Sequence, residues 1–140
     1  MQFAEAKQFI LAGNATFTVV SKGTGTRFTY KVTQQDNNPT WWRVGLLTGP
    51  NNLTDYRYIG SVGWDKGQYP VPRFFPPRGT NLRDAPASTR GFAWILAAPE
   101  AVFDLSVEFH HEGRCGRCGR KLTTPESVEA GFGPECITRL

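Results

Sequence analysis

A chain of 140 residues, 39% hydrophobic and 20% charged, can bury one modest core and is too apolar for a disordered tail. Sixteen Lys and Arg against twelve Asp and Glu leave a net charge of +4, which suits an anionic partner without requiring one. No apolar run approaches the roughly 20 residues that a membrane span needs, so a membrane partner is not expected.

Residues 2–11 place Phe3, Phe9, Ile10 and Leu11 on a short amphipathic helix that Gly13 ends. Two alternating runs follow, 15–20 and 27–33, joined by a glycine-containing turn at 22–25, the pattern of a β-hairpin. Residues 41–47 and 56–62 supply two more strands, separated by Thr48, Gly49, Pro50, Asn51 and Asn52, which is turn chemistry throughout. Sequential strands with short connections pair most simply as a four-stranded antiparallel meander. Adjacent residues of a strand face opposite ways, so of Trp41 and Trp42 one enters the core and the other reaches the opposite face. Trp42 is the candidate contact residue.

The stretch 63–83 is the least regular. It holds four prolines, with Trp64, Tyr69, Phe74 and Phe75 interleaved with Lys66, Arg73, Arg78 and Arg83. Residues 72–77, Pro-Arg-Phe-Phe-Pro-Pro, exclude a regular helix or a central strand. As a functional loop it would meet phosphate with arginine and stack bases on its rings, with Arg73, Phe74 and Arg78 as contacts. As a structural strap its rings would pack on the sheet instead. Residues 86–98 then read as a second helix, with Phe92, Trp94, Ile95 and Leu96 on its apolar side and Asp84 or Ser88 as its cap. Together these elements form an α+β domain over 1–103, with flanking helices on the small sheet.

Leu105, Val107 and Phe109 alternate with Ser106 and Glu108 as a half-buried strand that runs into His110 and His111. All three cysteines follow, in a His-x3-Cys-x2-Cys-x17-Cys array formed by His111, Cys115, Cys118 and Cys136. Residues 1–13 resemble no export signal, which points to a reducing cytoplasm where disulfides are rare. Glycine between Cys115 and Cys118 lets the backbone bend so that both sulfurs face one metal, as in a zinc knuckle. A thioredoxin-like pair would open a helix, and Gly119, Arg120 and Lys121 start one poorly. His111 continues the apolar phase of its strand and is the expected fourth ligand, with His110 as the alternative. Three thiolates and one imidazole would close a tetrahedron around Zn2+ and leave no position for a substrate.

Beyond the knuckle, residues 119–122 form a hairpin return, and Thr124 and Pro125 suit the N-cap and first position of a short helix. Residues 131–136 bring the chain back, so that Cys136 sits in the first turn of a last helix beginning near Pro134. The expectation is a treble-clef-like zinc finger over 104–140, packed on or appended to the first domain. Leu122 and Phe132 would be its small core, and metal its source of folding energy.

The run from Cys115 through Cys118, Gly119, Arg120, Leu122, Pro125, Glu126 and Ser127 to Gly131, Gly133, Pro134 and Cys136 resembles the DUF6011 family. That family is a short domain expected to bind zinc, common in proteins of phages, plasmids and other mobile elements. The resemblance covers about the last 30 residues and implies Cys115, Cys118 and Cys136 as ligands, with His111 in the remaining place. Residues 13–19 and 47–52 are similar to the amino-terminal part of such phage-type proteins. No activity comes with the resemblance.

Arg114, Arg117, Arg120 and Lys121 put four positive charges into eight residues without an acid. They suit phosphate, and they would equally balance a site that three thiolates and one Zn2+ leave at −1. No nucleophile elbow, phosphate loop, His-Glu-x-x-His or deaminase signature is present, so neither an enzyme nor a small-molecule substrate is expected. The expected function is non-catalytic nucleic-acid binding by an accessory protein. The alternative is an anti-defence-like module that binds and inhibits a host or competing-element protein.

Overall fold

The computed structural model describes residues 3–64 and 71–140. Its centre is a six-stranded antiparallel sheet: β1 (Asn14–Ser21), β2 (Arg27–Gln35), β3 (Asn38–Leu47), β4 (Tyr56–Gly63), β5 (Arg73–Phe75) and β6 (Val107–His111). The spatial order β5-β4-β3-β2-β1-β6 extends the expected four-strand meander by one strand at each edge. Four α-helices accompany it among the described residues: α1 (Phe3–Ile10), α2 (Ala87–Ala97), α3 (Glu100–Ser106) and α4 (Pro125–Ala130).

Alternation decides which face is buried. Ala15, Phe17 and Val19 of β1, Tyr30 and Val32 of β2, and Trp42 and Val44 of β3 all point to one side. On that side α1 brings Phe9, α2 brings Phe92 and α3 brings Phe103, and aromatic rings meet through much of the core. Phe17 stacks on Phe109 at 4.6 Å, and Tyr30 meets Phe92 at 5.3 Å. Lys7 of α1 donates to the carbonyls of Ile95 and Leu96, the last turn of α2, and so ties the two helices together.

Tyr30 carries a polar group into this core, and its hydroxyl donates to the Ser88 carbonyl at 2.7 Å. Burial pushes its ionisation well above the ordinary tyrosine range. Tyr30→Phe should cost about 1 kcal/mol at neutral pH, the net worth of the lost hydrogen bond, because the Ser88 carbonyl keeps its partner within α2. Above about pH 10 the unfolded chain releases a tyrosine proton that the native chain retains, so this part of the stability falls as pH rises. Urea melts of both proteins at neutral and alkaline pH should show a smaller alkaline loss in Tyr30→Phe.

Several expectations change. Residues 63–83 are not simply a loop: residues 73–75 form an edge strand on β4, and Leu82–Asp84 form a 3-10 turn. An edge position accommodates the flanking prolines, which a central strand would not. Lys66 and Tyr69 lie outside the described residues. Leu105, read as the start of a strand, lies in the last turn of α3 instead and is 79% exposed; the strand begins at Val107. The N-cap of α2 is Pro86, without a side-chain bond, and neither Asp84 nor Ser88 caps it.

Candidate metal centre and the surfaces around it

Strand β6 delivers the chain from the sheet into the cysteine segment. Gly113 has a positive φ of 77°, and the Leu122 N–H returns to its carbonyl at 2.8 Å. Arg114 and Lys121 form a β-bridge, Cys115 N–H donates to the Arg120 carbonyl, and Gly119 turns the knuckle with φ of 80°. Thr124 caps α4 by accepting from Ser127 N–H, Pro125 opens the helix, and Gly131 closes it in the left-handed conformation. Cys136 then opens a final 3-10 turn, Cys136–Arg139.

The three sulfurs converge. Cys115, Cys118 and Cys136 are free thiols whose Sγ atoms all lie within 4.8 Å of one another; Cys115 and Cys136 are buried and Cys118 is exposed. They line a cleft of about 320 Å3 with Arg120, Lys121 and Glu135. Burial alone would push the Cys115 thiol up, but N–H groups of Cys118, Gly133 and Arg117, with the Cys118 thiol, hold it down at about 7. Burial and the neighbouring cysteines push the Cys118 thiol up. Three thiols this close cannot all ionise unaided, and a divalent cation removes that obstacle. The donor set can hold a metal ion, and its softness suits Zn2+.

His111 is placed differently from the expected fourth ligand. Its phase is as read, on the face of Phe109, but it is not in the sulfur cluster. Its Nδ1 accepts from Gly113 N–H at 3.0 Å, and its Nε2 lies against the Val128 carbonyl, so Nε2 carries the proton. A metal-bound imidazole needs a free lone pair, and the only one is engaged by Gly113. The ring instead ties β6 to α4 and packs at 5.7 Å on Phe9. His110 is exposed on the other face, opposite Thr18 of β1.

Besides the His111 contact, the cysteine segment is joined to the sheet side through Phe9 and through Asn14. Phe9, fully buried, touches Phe109 of the sheet, His111, and Phe132 beyond α4. Gly116 lies so close that a Cβ there would stand 2.6 Å from the Phe9 ring. Asn14 N–H donates to the Gly116 carbonyl at 2.7 Å, and its side chain donates to that of Arg117.

The four basic residues around the knuckle do not form one patch. Arg120 and Lys121 line the cysteine cleft. Arg117 reaches toward Cys136, with Nη1 3.9 Å from Sγ, and supplies a cation beside the thiols. Arg114 turns the other way, into a groove of about 310 Å3 between the sheet and the 48–55 turn, with Asn14, Thr16, Lys31, Asn52 and Glu112.

Of the candidate contacts upstream, Trp42 is in the core at 6% exposure, so it is not a surface aromatic. Phe74 also turns inward and meets Phe92 at 5.4 Å. Arg73 and Arg78 are exposed. The residues that reach the open face are instead Trp41 and Phe75, the sequence neighbours of those two rings. Alternation was the signal for the tryptophans, with the wrong side chosen; the interleaving of arginines and aromatics marked Phe74 as a loop contact, and the edge strand turns it inward instead.

Residues 107–140 match the model of a family of unknown function, DUF6011. The DUF6011 segment thus begins at β6, inside the sheet, and contains the whole thiol cluster. No curated protein and no solved structure matches the chain. Among the described residues no helix is long and apolar enough to cross a membrane.

Proposed function

We propose that this chain is a non-catalytic nucleic-acid-binding protein whose Cys115, Cys118 and Cys136 hold one structural Zn2+. The observation that supports binding is on the sheet face opposite the helices. There three cations each lie over an aromatic ring: Arg43 over Tyr58 at 4.4 Å, Arg73 over Phe75 at 5.2 Å, and Lys31 over Tyr56 at 5.5 Å. A guanidinium held over a ring can still offer N–H groups to phosphate oxygens, at reduced entropic cost on binding. When bound, the zinc would cross-link the knuckle to the final turn and offset most of the thiolate charge, giving a treble-clef-like finger. The chain's own part is to direct N–H groups at Cys115 and to fix the finger against Phe9 and Asn14.

The test is fluorescence anisotropy of labelled oligonucleotides across a salt series, with zinc content measured on the same sample. Micromolar or tighter binding that weakens steeply with salt is expected. Arg43→Gln with Arg73→Gln should lower the log–log slope by about 1.4 for two lost contacts on a single strand. No binding at low salt by zinc-replete protein would overturn the reading and favour a protein partner. A mobile-element setting, as the family resemblance implies, is compatible with either partner.

A further inference from the structure

We infer that the occupant of the open sheet face is a single-stranded nucleic acid whose bases stack on the Trp41–Phe75 pair. The inference rests on the nucleic-acid reading above and adds to it a strand state and a stacking site.

Register puts the relevant side chains on one surface. Trp41 of β3 pairs with Gly63 of β4, which pairs with Arg73 of β5; one rung along, Arg43 pairs with Ser61, which pairs with Phe75. A bulge at Ile59 and Gly60 keeps the next rung on the same side, since the Tyr58 hydroxyl meets Ser61 Oγ at 2.9 Å. The open-face positions of these three strands therefore read Trp41, Arg43, Gly45 and Leu47, then Tyr56, Tyr58, Ser61 and Gly63, then Arg73 and Phe75. No acid stands among them. Glu108 stands on β6, and Glu112, just after it, shares the groove of Lys31 and Asn52 and bears on Tyr56, so the acid-free part of this face is the end that holds Trp41, Arg43, Arg73 and Phe75.

Gly63 explains how two large rings come to share this surface. Its φ is not in the positive region, so the glycine answers a need for space rather than for backbone freedom. A Cβ there would stand 3.1 Å from the Trp41 ring and 3.2 Å from that of Phe75. The two rings, 5.1 Å apart, thus cover the bare strand where a side chain would have lifted them. Tyr58, 36% exposed, continues the aromatic surface under Arg43.

A duplex keeps its base faces inside its own stack and offers phosphates and groove edges to a partner. Rings lying on a sheet gain nothing from it beyond the charges nearby. A single strand offers π faces, and each stacked base contributes a term independent of sequence. Arg43 and Arg73 flank the rings at the spacing of neighbouring rungs, positioned for the phosphates of the same strand. The chemistry of the face therefore selects an unpaired strand over a duplex and gives little basis for sequence preference.

Zinc-loaded full-length protein would be titrated against labelled oligothymidylate, the matching oligouridylate and a hairpin duplex of equal length at one salt concentration. Either single strand should bind about tenfold or more tightly than the duplex. Trp41→Thr should lower single-strand affinity about tenfold while leaving the salt slope unchanged, because a stacking contact releases no counterion. Phe75→Thr, on an edge strand, provides a second variant should Trp41→Thr fail to melt cooperatively. Trp94→Ala, on the helical side and 37% exposed, should change nothing. Equal or tighter duplex binding, or full single-strand affinity in both folded ring variants, would overturn the stacking inference while the nucleic-acid reading stands. Absence of binding to all three probes would overturn both.

Discussion

Cys136→Ser is expected to purify with little zinc, against an expected one ion or so in the parent chain, and to leave the segment from Gly113 to Leu140 open to proteolysis. The physical reason is the poverty of that segment without a metal. Its apolar contribution is chiefly Leu122 and Phe132, and its only α-helix has six residues. Isolated helices that short do not persist in water. A hydroxyl is a poor Zn2+ ligand, so the variant loses one of three sulfur donors, and with it binding energy that is also folding energy. Cys115, Leu122, Phe132 and Cys136 extend the same core as Phe17, Tyr30 and Phe92, but Tyr30 meets Phe17 and Phe92 directly, and the sheet should keep a cooperative melt. Cys118→Ser, at an exposed thiol, gives the same metal loss with less disturbance of packing. His111→Ala is the informative companion. With Nδ1 and Nε2 both engaged by backbone groups, it should retain zinc and lose stability instead. Metal analysis by atomic absorption, with limited proteolysis, checks all three. Full zinc in both cysteine variants would remove the site, and zinc loss in His111→Ala would put the imidazole into the coordination shell.

Phe9→Ala should cost about 3–5 kcal/mol, which is a large share of the stability of a domain this size. Its ring joins α1 to separate parts of the fold: the sheet through Phe109, the β6 terminus through His111, and the post-helix turn through Phe132. Its removal leaves a cavity that the surrounding backbone cannot collapse, because Gly116 already lies against one side of the ring. The loss should therefore be global, unlike that of the cysteine variants. Urea unfolding followed by tryptophan fluorescence and by zinc release should show both transitions moving to lower denaturant together. A shift confined to zinc release would mean that the finger only rests on the sheet.

Much of this was legible in the residues. Four strands read from alternation are present at nearly the expected positions, because one polar and one apolar face leave period two in the sequence. Thr124, Pro125 and Gly131 occupy the helix ends for which their backbone chemistry suits them. Other features left weaker marks. Strand β5 has three residues, too few for a period to show, and its flanking prolines argued only against a central strand, leaving the edge position open. Leu105 fitted the alternation by coincidence, since a seven-residue helix ends where the strand begins. The choice between Trp41 and Trp42 depended on which face the helices cover, and no local pattern contains that.

By itself the sequence determined what is local: the knuckle, the capped short helix, the convergence of three thiols, and the strands of the meander. Each follows from spacing or from a backbone preference within a few residues. Tertiary structure alone decided the rest. It committed His111 to Gly113 and Val128, dispersed the four basic residues of the finger onto different surfaces, and set Trp41 and Phe75 over Gly63. Those outcomes depend on which side of a sheet is buried and on which residues meet across strands distant in the chain, and side-chain spacing along one segment holds no information about either.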